Sequence, residues 1–244
     1  MEKQQVYFSD LGNMRYKDAW AYQETLLGEN VQLKSQRFEQ QVNEKEAAVA
    51  AAATKNHLLF VEHPHVYTLG KSGHIENVLL SEESLAARGI DFFRTNRGGD
   101  ITYHGPQQLV GYPILDLEKF YTDIGKYLRN LEEVIIQTIA HYGLKGERSA
   151  GETGVWLDPD KIGRERKIAA IGVRTSRWVT MHGFALNVNP DLDYFGFIVP
   201  CGIQNKQVTS IEKELGQPVD INEVKALFKG HFEDVFDVEL VYGV

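Results

Sequence analysis

The stretch Lys167-Ile168-Ala169-Ala170-Ile171-Gly172-Val173, followed by Val179-Thr180-Met181-His182-Gly183-Phe184-Ala185-Leu186-Asn187-Val188, reads as two β-strands. After Lys167 small and apolar residues alternate, so a neighbouring strand or loop must approach closely. Further strands are expected outward from this pair, at Leu58–Val61, Val66–Leu69, Ile90–Arg94, Leu109–Leu117 and Gly154–Leu157, with a closing strand at Val238–Val241. Helical signals lie mainly toward the two ends. Tyr16 to Ala53 is rich in Gln, Glu, Lys, Leu and Ala, with Gly28-Glu29-Asn30 as a candidate break. Ser84–Arg88, closed by Gly89, is a short helix. Ile124, Leu128, Leu131, Ile135 and Ile139 recur at three- and four-residue steps and end near Gly143. Thr209 with Glu212, and Asp220 with Glu223, open two more helices. Strands clustered centrally, with helices on either side, predict an α+β fold: a mixed, largely antiparallel sheet flanked by helices. Regular βαβ alternation and a G-x-G-x-x-G turn are both missing, which excludes a doubly wound nucleotide fold.

The chain has 244 residues, enough for one sizeable core, and no Pro/Gly/Ser linker divides it. One domain over residues 1–244 is the expectation. Its 43% hydrophobic and 25% charged residues are ordinary globular values. Lys and Arg number 26 against 34 Asp and Glu, a net charge of −8. That balance argues against a nucleic-acid surface and against adsorption to an anionic membrane. The longest apolar run, Ala47–Ala53, is far short of the roughly 20 residues of a membrane span. Met1-Glu2-Lys3-Gln4-Gln5 lacks the apolar region of a secretory signal. With one cysteine, Cys201, no intrachain disulfide can form. A reducing, cytoplasmic setting is expected.

Three segments carry candidate chemistry. In Arg97-Gly98-Gly99-Asp100-Ile101-Thr102-Tyr103-His104-Gly105-Pro106-Gln107-Gln108 the paired glycines permit close backbone approach, and Arg97, Thr102 and His104 place donors beside them. A Gly-Gly pair alone is ordinarily a tight turn; the dense string points to a ligand-binding loop. In the second segment Lys167 follows Lys161, Arg164 and Arg166, and by itself would read as a solvated charge. The small residues Ala169, Ala170 and Gly172 leave space beside the strand that can hold an acyl chain. In the third, Cys201 stands between Pro200 and Gly202. A free cysteine is ordinarily a small buried hydrophobe, but a Pro–Cys–Gly turn can present its thiol to a pocket. A thiol with a pKa near 8.5 is only about 3% thiolate at neutral pH. Lowering that pKa by about two units takes roughly 2.7 kcal/mol, which a partly desolvated lysine can supply. The eight histidines form no metal-ligand pattern, and neither a G-x-S-x-G elbow nor a Walker loop is present.

Together these strings resemble the octanoyltransferases of lipoate biosynthesis, in the biotin/lipoate protein ligase-like superfamily. The resemblance runs from about His57 to Gly216 and includes Val61-Glu62-His63-Pro64, Tyr67-Thr68-Leu69-Gly70, the 97–106 string, Tyr112-Pro113, residues 167–173, residues 182–187 and Pro200-Cys201-Gly202. One departure is Gln107, where glycine commonly follows His-Gly-Pro. The resemblance implies that Cys201 carries the acyl group, with Lys167 as its partner. It implies a substrate pocket built from Arg97, Gly98, Gly99, Asp100, Ile101, Thr102, Tyr103 and His104, from Ala170, Ile171 and Gly172, and from Gly183, Phe184 and Ala185. It further implies octanoyl-acyl carrier protein as donor and no cofactor. The implied acceptors are lipoyl domains of 2-oxoacid dehydrogenase E2 subunits and the glycine cleavage H protein. Lys161, Arg164, Arg166, Arg174 and Arg177 are candidates for docking an acidic carrier. An ATP-dependent lipoate ligase on the same fold, and a non-catalytic acyl-binding protein, are the alternatives.

Overall fold

The computed structural model describes residues 3–42, 53–199 and 207–243. Along this chain lie strands β1 (Gln4–Asn13), β2 (Asn56–Glu62), β3 (Val66–Leu69), β4 (Asp91–Arg94), β5 (Ile101–His104), β6 (Gln108–Ile114), β7 (Val155–Leu157), β8 (Arg166–Ser176), β9 (Val179–Asn187), β10 (Gln207–Val208) and β11 (Val238–Tyr242). The helices are α1 (Tyr16–Val42), α2 (Glu82–Ala87), α3 (Ile124–Ala140), α4 (Ile211–Leu215) and α5 (Ile221–Phe236).

The large sheet has the order β10-β8-β9-β6-β2-β1-β11, with β7 paired to β8, and β4-β3-β5 form a small second sheet. The central run β8-β9-β6-β2 is antiparallel, whereas β1, β11 and β10 join in parallel. Period-two alternation splits the core between the two faces. Leu58 and Phe60 of β2 pack under α3 and α5, while Leu59 and Val61 face α1. On α3 the expected stripe holds for Leu131, Ile135 and Ile139, all fully buried. Asp123 caps that helix by accepting the Lys126 N–H at 2.9 Å. Among the described residues no helix is long and apolar enough to cross a membrane.

Several elements differ from the sequence reading. Gly28 does not break α1, and a Cβ there would meet nothing within 4 Å. Strand β1 was not foreseen, because only Val6 of its ten residues is fully buried; its order comes from pairing β2 on one side and β11 on the other. Strand β8 runs on to Ser176 because it forms a hairpin with β9, Ser176 facing Val179. The two connecting residues, Arg177 and Trp178, have φ of 47° and 64°, the twist a two-residue hairpin needs. The cap of α4 is Ser210, which accepts from the Lys213 N–H at 3.1 Å; the Thr209 hydroxyl instead donates to Glu214. Asp220 caps α5 as expected, through the Asn222 N–H.

The small sheet is tied to the large one by the loop between β4 and β5. Gly98 N–H donates to the Val173 carbonyl at 2.9 Å, and Gly70 N–H donates to the Asp100 carbonyl at 3.2 Å.

Candidate active site

Where that loop crosses β8, a cavity of about 470 Å³ opens. Every residue from Arg97 to His104 lines it, as do Lys167, Ala170, Ile171, Gly172, Gly183, Phe184 and Ala185. Segments far apart in sequence thus surround one space of a size suited to a small ligand. Cys201 lies outside the described residues. The chain on either side of it reaches the cavity: Phe195 before it and Val208 after it are both in the lining, and Val208 pairs with Lys167 across β10 and β8.

Several wall groups have polar atoms that are already engaged, whereas His104 Nδ1, Gln108 Oε1 and His182 Nδ1 are buried without a hydrogen-bond partner among the described residues. Arg97 is 7% exposed, and its guanidinium donates to the Thr68 hydroxyl, the Thr68 carbonyl and the Gly98 carbonyl. These bonds lock the loop onto β3, so Arg97 shapes the wall. Asp100 accepts from its neighbour Ile101 N–H at 2.7 Å and from Asn77 at 2.7 Å. Tyr103 is fully buried, bonded to His65 and stacked on Tyr194 at 5.2 Å. The glycines are small for backbone reasons as well as for a ligand. A Cβ on Gly172 would sit 2.9 Å from the Gly98 carbonyl oxygen, and one on Gly183 would sit 2.1 Å from that of Gly111. Ala169, expected beside the ligand, instead faces the α3–α5 core and is fully buried. Gln107 has φ of 65°, the left-handed region that favours glycine. The backbone takes the path a glycine would, held by Glu62, which accepts the Gln107 N–H, and by Asn189, which bonds both its carbonyl and its side chain.

On the α1 side Tyr16, Tyr112, His104 and His182 give the lining a polar character beside Arg97, and His63 is bonded to Tyr112. His63 Nδ1 lies 2.7 Å from the Met14 carbonyl, which can only accept, so that nitrogen carries the proton. Its Nε2 then accepts from the Tyr112 hydroxyl at 2.7 Å. Asn96 is oriented by donating to Glu24, so its oxygen accepts from His182 Nε2–H at 2.7 Å. Burial pushes His63 down to about 4 and His182 down to about 3, with Arg97 adding to the second effect. His104 is also held well below its ordinary value, chiefly by burial, and burial raises Tyr16 to about 12. All these groups are neutral at pH 7. The unfolded chain protonates its histidines near pH 6.5, whereas folded His63 and His182 resist until about 4 and 3. Between those limits the unfolded state binds more protons, so stability falls as pH drops below 6.5. The expected loss is about 1.4 kcal/mol per histidine per pH unit. Urea midpoints from pH 7 to 4.5 should decline more gently in His63→Gln than in the parent; equal slopes would refute the assignment.

On the opposite side the Lys167 ammonium lies 4.6 Å from the centre of the Trp156 ring. Gly154, at φ 118°, packs beside the Lys167 stem, where a Cβ would come within 2.5 Å of the Ala169 carbonyl oxygen. Its N–H donates to the buried carboxylate of Glu132 at 3.0 Å, and that carboxylate is neutralised by Arg129 and Arg148. Among the described residues no group of His, Cys, Asp or Glu is placed to hold a metal ion.

The catalytic domain of lipoyl protein ligases A and B matches residues 15–233. The octanoyltransferase of Christiangramia forsetii is 56% identical over 241 residues, 98% of each chain. That of Flavobacterium johnsoniae is 56% identical over 239 residues, 97% of this chain and 98% of its own. The chain belongs to the octanoyltransferase family. Solved structures share the fold at much lower identity. The bipartite lipoate protein ligase of Thermoplasma acidophilum superposes with a TM-score of 0.68 at 16% identity, covering 100% of this chain and 87% of that one. Lipoate-protein ligase A bound with ATP gives 0.66 at 14%, covering 100% and 89%.

In this octanoyltransferase fold, sequence reasoning missed lining residues whose signals pointed elsewhere. Leu128 fits the apolar stripe of α3 yet faces the cavity, Tyr16 and Glu152 stand outside the motifs that define the pocket, and Gln108 and Asn187 end two of the quoted strings without having been named as pocket residues. The basic residues marked for docking are largely engaged within the protein. Arg166 makes a two-pronged pair with Glu214 at 2.6 and 2.7 Å and also holds Asp158. Lys161 pairs with Asp158, and Arg174 with Glu24. Arg164 is exposed.

Proposed function

We propose that this octanoyltransferase works by ping-pong acyl transfer through a thioester on Cys201, with Lys167 as its proton partner and residues 1–244 acting as one catalytic domain. The reading is carried by the cavity that joins Lys167 to the loop 97–104 and to β8 and β9, in a chain 56% identical to an octanoyltransferase over nearly its whole length.

The Cys201 thiolate, paired with the Lys167 ammonium, attacks the thioester carbonyl of octanoyl-acyl carrier protein. The carrier's carbon–sulfur bond breaks, and its thiol leaves with a proton from Lys167. One thioester replaces another, so the step is close to thermoneutral and consumes no nucleotide. The amine of a lysine on a lipoyl domain then attacks the acyl-enzyme. Neutral Lys167 takes the proton of that amine as the Cys201–acyl bond breaks, which regenerates the thiolate–ammonium pair. Amide formation makes this half downhill. The acceptors are the lipoyl domains of 2-oxoacid dehydrogenase E2 subunits and the glycine cleavage H protein, and a thiolate catalyst suits a reducing cytoplasm. Burying the seven carbons beyond the carbonyl contributes roughly 5–6 kcal/mol at about 0.8 per carbon.

Lys167→Ala is expected to move the midpoint of Cys201 alkylation by iodoacetamide upward by about one to two pH units, toward the free-thiol value near 8.5. An unchanged profile would remove Lys167 from the role. Transfer that required added ATP would replace this reading with that of a ligase.

A further inference from the structure

The Lys167 ammonium has a second neighbour that the reaction does not name. Trp156 sits opposite Lys167 in the β7–β8 pairing, is 2% exposed, and presents its ring 4.6 Å from Nζ. The strand that carries the ring is fixed: the backbone N–H of Trp156 donates to the Glu147 carbonyl at 2.9 Å, and the backbone N–H of Glu147 donates to the Trp156 carbonyl at 2.8 Å. Just before it, Gly154 is pinned by the buried Glu132 carboxylate and closes against the Lys167 stem. The negative face of an indole attracts an ammonium more strongly than a neutral amine, and the preference grows as water is excluded. The other charged groups of the cavity are Arg97, Asp100 and Glu152, and the histidines facing it, His104 and His182, are neutral. Arg97 and Asp100 are bonded into the wall.

We propose that Trp156 is a positioning residue for acyl transfer: its indole face keeps the Lys167 side chain charged and aimed into the cavity, where it supports the Cys201 thiolate. This rests on the reading of Cys201 and Lys167 as partners. It assigns β7, a strand of three residues, a part in tuning the nucleophile.

The test is the pH profile of alkylation by iodoacetamide, which reports on Cys201 alone because the chain has one cysteine. Trp156→Leu should raise the midpoint by about half to one unit, which leaves roughly 1.5-fold to eightfold less thiolate at pH 7 for a parent midpoint about one to two units below 8.5. Its kcat should fall while KM for the octanoyl carrier stays within about twofold of the parent, and Trp156→Phe should recover part of the shift. Should Trp156→Leu fail to fold, biosynthetic incorporation of mono-, di- and trifluorotryptophan replaces it. These rings keep their shape while their faces lose negative charge, so the midpoint should climb with each fluorine. The climb should vanish in a Trp156→Phe background, which retains the other tryptophans. If Lys167→Ala moves the midpoint but neither Trp156→Leu nor fluorination does, the role of Trp156 is refuted and the partnership stands. If Lys167→Ala also leaves the midpoint in place, both fall.

Discussion

Cys201→Ala is expected to abolish octanoyl transfer, with a loss of roughly 10³-fold or more, since removing a covalent nucleophile leaves only binding and electrostatic catalysis. The parent protein, mixed with octanoylated carrier and no acceptor, should gain one octanoyl group by intact mass. Cys201→Ala should gain none. Hydroxylamine should strip the label from the native protein, as expected for a thioester. Lys167→Ala should slow both halves of the reaction, loading from the carrier and discharge onto a lipoyl domain. Full transfer by Cys201→Ala would overturn the covalent route and leave direct attack of the lysine amine on the carrier thioester. Lys167, β8 and the loop 97–104 face one space, and Val208, seven positions after Cys201 in the chain, lies beside Lys167.

Much of this arrangement is legible in the amino-acid order, and the reasons differ from place to place. Strands β8 and β9 were readable because alternating small and apolar residues leave few other options, and the pocket strings stood out because glycines, donors and a histidine rarely crowd together by chance. The structure changes why some of those residues are there. Arg97 looks like a donor to substrate, yet its guanidinium is committed to Thr68 and Gly98. Gly183 looks like room for an acyl chain, yet the Gly111 carbonyl fills that room. Leu128 was invisible because a cavity-facing leucine and a core leucine give the same helical period. Strand β1 was invisible because its order comes from two partners remote in sequence, β2 and β11, and not from its own pattern. The role of Trp156 depends on a cross-strand register that no local rule supplies. Local chemistry therefore marked the loop and strands that meet around the cavity, while long-range pairing decided which residues line it and which only hold it in shape.

Gly183→Ala tests the largest of those long-range constraints. Its added Cβ would lie 2.1 Å from the Gly111 carbonyl oxygen and 2.7 Å from Pro113 Cδ, atoms of a backbone and a ring that cannot swing aside. Gly111 is equally confined, since the Phe184 ring occupies the place of its Cβ, with Cε1 2.1 Å away. That ring in turn stacks on Phe228 of α5 at 4.5 Å. The Gly111–Gly183 contact thus interlocks the centre of the sheet with the helix above it, and separating the strands would disturb both. Overpacking of a core usually costs 1–3 kcal/mol, and a clash with backbone belongs at or above the upper end, so a loss of about 3 kcal/mol is expected. Gly28→Ala is the matched control. It adds the same methyl in the middle of α1 with nothing within 4 Å, and should stabilise by roughly 0.5–1 kcal/mol through helix propensity. Urea unfolding of both variants decides the matter. A Gly183→Ala midpoint close to the parent would mean that β6 and β9 can part at little cost. In that case the sheet behind Lys167 would be too compliant to fix the geometry on which acyl transfer depends.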